Sequence, residues 1–288
     1  MPLTAVNVQD LGAPISKNQV FNFGTTGVET STRTYDVYRS SVNFGNGMVT
    51  VPIDIGVITS VVQTTYPNGP NGQPVQTPIP LSQVTALLGI GPFGAFGADP
   101  GVTGLPPQSL PGILGKGVLI NAYNAPAGGG GVLQFGPNPL PEVTSITADP
   151  TTFTSNLSVT FTVQGQTYPY SLPSTIDSGG LYGFIPSTLT SGTPSLPKTP
   201  NSNDSKSYLP PNSNIMIQAG PTVLEDYTVP AYPTPPCSEC SPPSPWFSGE
   251  THFNSGYIPF TRQPIYVSYD PVGTMIFDAV SLEWLIEM

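Results

Sequence analysis

Apolar and polar residues alternate along much of the chain, and this two-residue period is typical of half-buried β-strands. The first clear case covers residues 20–44, where two alternating segments flank a Gly-Thr-Thr-Gly tip and predict a long hairpin. A second, tight hairpin is predicted over residues 43–51, because Asn46-Gly47 is a strong turn signal. Residues 57–62 follow with two pairs of β-branched apolar residues, a run that predicts a buried strand.

The same pattern returns after residue 115. Residues 161–168 predict two strands that meet at a Gln164-Gly165 turn, since β-branched and aromatic residues flank a residue that accepts positive φ. Other β segments are predicted over residues 117–121, 131–136, 215–218 and 255–277, the last of them as a hairpin. The fold class predicted for the chain is therefore all-β.

A proline-rich connector suggests where the chain divides. Residues 137–141 read Pro-Asn-Pro-Leu-Pro, a composition that keeps the backbone extended and stiff. We therefore expect an N-terminal lobe over residues 1–141 and a C-terminal lobe over residues 142–280. The final residues 281–288 carry a short amphipathic helical pattern and are expected to form a tail.

Composition supports a folded β-rich chain with many turns. Of the 288 residues, 38% are hydrophobic, 8% are charged, and 37 are proline and 31 glycine. The 13 Tyr and 13 Phe residues are spread along the chain and supply apolar surface for a core. A net charge of -10 disfavours binding to nucleic acid or to anionic headgroups. No apolar run is long enough for a transmembrane helix, and residues 1–7 do not resemble a signal peptide.

The two cysteines, Cys237 and Cys240, lie three residues apart in a proline-rich stretch. A zinc site would need further ligands, and the chain's single histidine, His252, does not complete one. The pair is therefore expected to form a small disulfide or to remain as two thiols, and we favour the disulfide, which fits an extracytoplasmic protein.

The candidate chemistry centres on Asp177, which stands between an apolar approach and a glycine-rich exit. The hairpin at residues 161–168 would deliver this carboxylate to a strand end. Ser178 can hydrogen-bond the carboxylate, and Gly179 and Gly180 let the backbone pass close to a ligand because neither has a Cβ. Taken alone, the same four residues also suit an ordinary Asx turn.

The order of these segments resembles that of a pepsin-like aspartic protease: a flap hairpin, a lobe-closing hairpin, a hairpin into Asp-Ser-Gly, and a final segment ending in Arg-Gln. More closely, the chain resembles the aspartic protease domain of mycobacterial PE and PE-PGRS proteins, over roughly residues 11–277. Four segments carry this second resemblance: residues 42–47, 115–121, 133–141 and 256–260.

This resemblance implies a bilobed hydrolase, exported by type VII secretion to the cell surface or beyond, that cleaves PE-type proteins without metal or cofactor. Its two catalytic aspartates flank a water and share a proton. Asp177 matches the second of them. The first would precede the flap hairpin, where only Asp10-Leu11-Gly12 is found, so we expect that aspartate upstream of Met1, an incomplete N-terminal lobe, and little activity from this chain alone.

Three further positions follow from the resemblance. Asp54 lies in an Asp-Ile-Gly segment, but it comes after the flap and lacks a Ser or Thr neighbour, so we expect a strand-edge residue there. Phe23 and Gly24 lie on the flap and are candidate substrate contacts. Residues 254–256 read Asn-Ser-Gly where an apolar pair before the glycine is expected to brace the Asp177 loop. The alternative function is a non-catalytic module that binds extended peptides on the same fold.

Overall fold

The structure is a computed structural model that describes residues 8–25, 29–66, 72–84, 106–122, 131–141, 144–149, 154–179, 182–191, 194–200, 206–230 and 244–278. The chain forms two compact units. Unit 1 contains Met1–Val118 and Phe135–Pro137, and unit 2 contains Leu119–Gln134 and Asn138–Met288. The lobe boundaries 1–141, 142–280 and 281–288 stay a sequence-based prediction. Among the described residues, no helix is both long and apolar enough to cross a membrane.

Most of the described secondary structure is β. The strands are β1 (Ser16–Thr25), β2 (Glu29–Ser40), β3 (Ile53–Thr65), β4 (Val75–Ile79), β5 (Gly117–Asn121), β6 (Val132–Phe135), β7 (Thr144–Thr147), β8 (Ser155–Val163), β9 (Gln166–Thr175), β10 (Phe184–Pro186), β11 (Thr199–Pro200), β12 (Ser207–Tyr208), β13 (Asn214–Ala219), β14 (Thr222–Thr228), β15 (Trp246–Ser248), β16 (Phe253–Asn254), β17 (Ile265–Ser268) and β18 (Thr274–Phe277). One α-helix, α1 (Ile258–Arg262), and five 3-10 turns, Val8–Leu11, Leu81–Gln83, Pro107–Ser109, Gly112–Lys116 and Ser187–Thr190, complete the described elements.

These strands form three sheets. A four-stranded sheet in unit 1 has the order β1-β2-β3-β4. A nine-stranded sheet in unit 2 has the order β11-β12-β15-β10-β16-β9-β8-β13-β14, and a five-stranded sheet has the order β6-β5-β17-β18-β7. The all-β fold class predicted from the alternation is confirmed.

The predicted long hairpin of unit 1 is confirmed by the pairing of β1 with β2, in which Val20 faces Thr34 and Phe23 faces Ser31. Tyr35 and Val37 are two residues apart on β2 and are both buried, because alternate side chains point to the same face of a strand. The core of this unit is a cluster of buried side chains, Tyr35, Val37, Ile58 and Val61, against which Phe21, Ile79, Leu81 and Val84 pack.

The predicted tight turn after this hairpin is also confirmed. The Phe44 N–H donates to the Met48 carbonyl at 2.8 Å, and the Met48 N–H donates to the Gly45 carbonyl at 2.9 Å. Asn46 and Gly47 adopt φ values of 50° and 79°, a conformation for which Asn and Gly carry the smallest steric cost.

The hairpin of β8 and β9 positions the candidate site in unit 2. Its turn is Gln164-Gly165, as predicted, and both residues have positive φ, at 52° and 81°. Leu157, Val159 and Phe161 alternate with polar neighbours along β8 and are fully buried, which fixes the register of the pair. Strand β9 therefore arrives at Thr175 with a defined face and direction.

The order of the strands in this sheet places Asp177 beside β16. Strand β16 lies between β9 and β10, parallel to β9 and antiparallel to β10. The residues that connect β9 to β10 therefore loop over the end of β16. This loop contains Asp177.

The predicted hairpin over residues 255–277 needs one correction. Only β17 and β18 form it, with Tyr266 facing Ile276, while residues 258–262 form α1. Pro259 lies in the first turn of this helix, where its missing N–H costs nothing and its fixed φ suits a helix start. Cys237, Cys240 and the predicted tail at 281–288 lie outside the described residues.

Candidate active site

Asp177 lies two residues beyond the end of β9, in the loop that leads to β10. Ile176 is only 5% exposed and anchors the approach to the loop, while Asp177 itself is half-buried. The Asp177 N–H donates to Ser255 Oγ at 3.2 Å. The backbone of Asp177 is thus tied to the segment that follows β16.

Both carboxylate oxygens of Asp177 accept a hydrogen bond. The Gly179 N–H donates to Oδ1 at 2.8 Å, and the Asn254 side-chain amide Nδ2 donates to Oδ2 at 2.8 Å. Each carboxylate oxygen has two lone pairs, and the described residues use one on each. Within that part of the chain, the side chain is held at two points and keeps acceptor capacity.

Ser178 is not one of these two donors, and its role stays a sequence-based prediction. Its side chain is exposed, and within the described residues no hydrogen bond joins it to the Asp177 carboxylate. The second donor is Asn254, which sequence reasoning had named only as a departure from an apolar brace. Gly180 lies outside the described residues.

The Asn254-Ser255-Gly256 segment braces the Asp177 loop through polar contacts. The Ser255 N–H donates to the Thr175 carbonyl at 3.0 Å, and Ser255 Oγ donates to the Gly256 carbonyl at 2.8 Å. The Gly256 N–H donates to Asn254 Oδ1 at 2.8 Å. Hydrogen bonds therefore take the place of the apolar packing expected at these positions.

Gly183 shows how closely the exit of the loop approaches this segment. Its φ is +69°, and a Cβ built at this position would lie 1.9 Å from the Asn254 carbonyl oxygen and 2.7 Å from the Gly256 nitrogen. Only glycine fits both the backbone conformation and the space. The loop is thus closed on Asn254 from the β10 side as well.

A chain of aromatic contacts lies beside the loop. The His252 ring packs edge-on against Phe184 with centroids 5.0 Å apart, and Phe184 packs against Trp246 at 6.1 Å. Lys206 Nζ lies 4.8 Å from the centre of the Trp246 ring, within the range of a cation–π contact. Burial lowers the pKa of His252, an effect opposed by the negative charges of Glu250 and Asp177. The negative charge of Asp177 therefore partly offsets the effect of burial on the His252 pKa.

The other predicted site residues lie in unit 1. Phe23 and Gly24 are on β1 opposite Ser31 and Thr30, so their backbone belongs to the end of the flap hairpin. Asp54 is the second residue of β3 and forms an ion pair with Arg39, with 2.9 Å between Oδ1 and Nη1. Arg39 and Asp54 are also cross-strand partners in the register of β2 and β3. This pairing gives Asp54 a structural role at a strand end.

Among the described residues, no group of three or more His, Cys, Asp or Glu side chains is arranged to hold a metal ion. The chemistry available at the loop is that of a carboxylate with fixed direction, which can accept or donate a proton.

Comparison with known families identifies the fold and its relatives. The family described as the PE-PGRS C-terminal aspartyl peptidase-like domain matches residues 1–276. The chain belongs to this family. The resemblance drawn from the sequence is thereby confirmed.

The chain is also similar to PE cleavage protein A from two mycobacteria. PE cleavage protein A of Mycobacterium tuberculosis (strain H37Rv) is 34% identical over 258 residues, which cover 85% of this chain and 39% of that protein. PE cleavage protein A of Mycobacterium marinum is 31% identical over 295 residues, covering 95% of this chain and 45% of that protein. The chain spans less than half the length of either relative.

A solved structure supports the same fold. The aspartic proteinase from Irpex lacteus matches with a TM-score of 0.57 at 14% sequence identity, covering 93% of this chain and 83% of that one. At this identity the match bears on the fold alone, and it confirms the acid-protease fold class for the aspartyl peptidase-like domain.

Proposed function

We propose that this aspartyl peptidase-like domain is part of an aspartic endopeptidase, in which Asp177 supplies one of two catalytic carboxylates. The observation that carries the proposal is the geometry of the loop between β9 and β10. There the Asp177 carboxylate is held by Gly179 and Asn254, and the described residues leave one lone pair on each oxygen unused. Family membership supports the same assignment.

The chemistry requires a second carboxylate. One group must take a proton from the attacking water while the other, protonated, polarises the peptide carbonyl, and a single carboxylate does not do both at once. Two carboxylates about 3 Å apart share one proton because they repel each other when both are charged; pepsin-type enzymes are the standard worked example of this effect. In the proposal, the second carboxylate belongs to an Asp-Thr-Gly segment that precedes the flap hairpin.

The proposed substrates are PE-type proteins, cut within an extended segment. The support for this choice is the name of the curated relatives, which describes cleavage of PE proteins. The proposed site of action is the cell envelope or the extracellular space, in keeping with the cysteine pair at residues 237 and 240.

The test measures hydrolysis of a PE-type peptide by the chain alone and by the chain extended at its N-terminus with an Asp-Thr-Gly segment. Pepstatin-sensitive cleavage is expected in the extended form. Asp177→Asn should lower the rate by about 10²- to 10⁴-fold, the usual contribution of a general acid or base. Asp54→Asn is the matched control, because Asp54 also precedes an x-Gly pair but forms an ion pair with Arg39.

Two outcomes would contradict the proposal. Hydrolysis that survives Asp177→Asn would remove Asp177 from the chemistry. Absence of cleavage in every form, with peptide affinity unchanged by Asp177→Asn, would favour the non-catalytic peptide-binding alternative.

A further inference from the structure

Asn254 is fixed in the nine-stranded sheet from both sides. It pairs with Thr175 of β9 on one side and with Phe184 of β10 on the other, and only 8% of its surface is exposed. The Gly183 backbone lies directly against its carbonyl oxygen. The Asn254 backbone therefore has little freedom to move away from the Asp177 loop.

The Asn254 side chain is oriented as tightly as its backbone. Its Oδ1 accepts the Gly256 N–H at 2.8 Å, and a backbone N–H only donates. The oxygen end of the amide is thus assigned by its partner, and the Nδ2 end must face Asp177 Oδ2, 2.8 Å away. A neutral donor of fixed direction contacts the carboxylate without cancelling its charge.

We propose that Asn254 is a positioning residue that sets the direction of the Asp177 carboxylate. The residues that follow Asp177 in the chain do not supply a side-chain donor to its carboxylate: residue 180 is a glycine, and within the described residues Ser178 makes no bond to it. Within the same residues, Asn254 supplies the side-chain donor to this carboxylate. The effect of Asn254 on catalysis rests on the proposed function of Asp177, whereas the hydrogen bond between the two side chains does not.

The first experiment detects the contact without any need for activity. Nuclear magnetic resonance of the whole chain records the side-chain Nδ2–H signals of Asn254, assigned by their loss in Asn254→Asp. One of the two protons should lie downfield because it binds a carboxylate, and it should move upfield in Asp177→Asn. A pair of Asn254 signals that is unchanged by Asp177→Asn would overturn the proposal.

The second experiment measures the consequence for turnover in the active, extended form. Asn254→Asp keeps the shape of the side chain, removes the donor and places a second carboxylate beside Asp177. We expect kcat to fall by about 10- to 100-fold, the value of one hydrogen bond to a charged group, with KM little changed. Asn254→Ala tests loss of the donor without the added charge and should lower kcat in the same direction.

The chain offers a matched control in the same sheet. Asn214 Nδ2 donates to Asp226 Oδ1 at 2.6 Å, so Asn214→Asp also replaces an amide that faces a carboxylate. This variant should leave kcat unchanged. Equal losses in Asn214→Asp and Asn254→Asp would indicate a general effect on folding and would overturn the positioning role.

The two experiments separate this inference from the proposed function. If the parent form shows no hydrolysis, the proposed function fails and the resonance test alone decides whether Asn254 orients Asp177. If hydrolysis is present and Asn254→Asp cleaves as fast as the parent, the positioning role fails while the peptidase proposal stands.

Discussion

Two carboxyl groups of unit 2 have opposite surroundings. Asp177 lies half-buried in a loop, and each of its oxygens accepts a hydrogen bond. Glu225 lies within β14, is only 2% exposed, and within the described residues neither of its oxygens has a hydrogen-bond partner. Burial raises the pKa of Glu225 to about 8, against the opposing charge of Arg262.

The difference shows that depth alone does not make an acidic residue useful for catalysis. A buried carboxyl without donors avoids the cost of charge by keeping its proton. A carboxylate at a strand end with two donors and open lone pairs has a fixed direction and access to a ligand. The donors around Asp177, more than its burial, distinguish it from Glu225.

The largest test of this contrast compares the two residues in one assay. In the N-terminally extended form used to test the proposed function, Asp177→Asn should lower the hydrolysis rate by about 10²- to 10⁴-fold, while Glu225→Gln should leave it unchanged. The reason is that the proposed chemistry uses the Asp177 carboxylate, whereas Glu225 is buried within its sheet. A comparable loss in Glu225→Gln, with the protein still folded, would end the distinction between the two carboxyls.

Stability against pH should depend on Glu225. Its pKa is near 4.5 when unfolded and about 8 when folded, so the folded state binds the proton more tightly. The stability that the protonated Glu225 contributes is fully present below pH 4.5 and is lost as the pH rises to about 8, a change on the order of 5 kcal/mol in the free energy of unfolding.

Urea unfolding at several pH values checks this expectation. Glu225→Gln carries no ionisable group and should be increasingly more stable than the parent as the pH rises through that window. Parallel curves for the parent and the variant would mean that Glu225 is not held protonated.

The closeness of the Asp177 loop to β16 can be tested at Gly183. Gly183→Ala must adopt φ of +69° and bring a Cβ within 1.9 Å of the Asn254 carbonyl. Gly220→Ala is the control, because its φ is +57° but no atom lies within 4 Å of a built Cβ. We expect Gly183→Ala to cost about 2 kcal/mol more than the control, measured by urea unfolding. Equal costs would show that the loop is looser than described.

The smallest expected effect concerns Asp54, which also stands in an Asp-x-Gly segment. Its ion pair joins side chains that are 60% exposed for Arg39 and 18% exposed for Asp54. A double-mutant cycle with Arg39→Met and Asp54→Asn should give a coupling energy of about 0.2–1 kcal/mol that falls with added salt. A coupling of several kcal/mol would indicate a deeper role for this pair.

Local patterns in the sequence were enough to predict the β8/β9 hairpin that leads to Asp177 and the short hairpin of unit 1. Alternation and the Gln164-Gly165 turn predicted β8 and β9, and the turn at Asn46-Gly47 predicted the short hairpin of unit 1. These features depend on residues close together in the chain, where turn type and side-chain period act directly. The position of Asp177 at a strand end followed from them.

Contacts between distant segments could not be predicted in the same way. Asn254 and Asp177 are 77 residues apart, and only the placement of β16 between β9 and β10 brings them together. The burial of Glu225 likewise depends on its sheet and on α1, since the sequence Thr-Val-Leu-Glu-Asp-Tyr-Thr suggests no burial of its acid. The family pattern has an apolar pair at residues 254–255. That Asn254 and Ser255 support the Asp177 loop by hydrogen bonds is visible only once the residues they contact are known.

The late position of β16 has a consequence for the order in which the site is assembled. During synthesis, the β8/β9 hairpin and its aspartate emerge well before residues 253–256, which supply the hydrogen bonds to them. Closing so long a stretch of chain is slow compared with forming a hairpin. A nascent or clipped chain that ends before Phe253 would therefore carry Asp177 without the contacts from Asn254 and Ser255 that help to fix its direction.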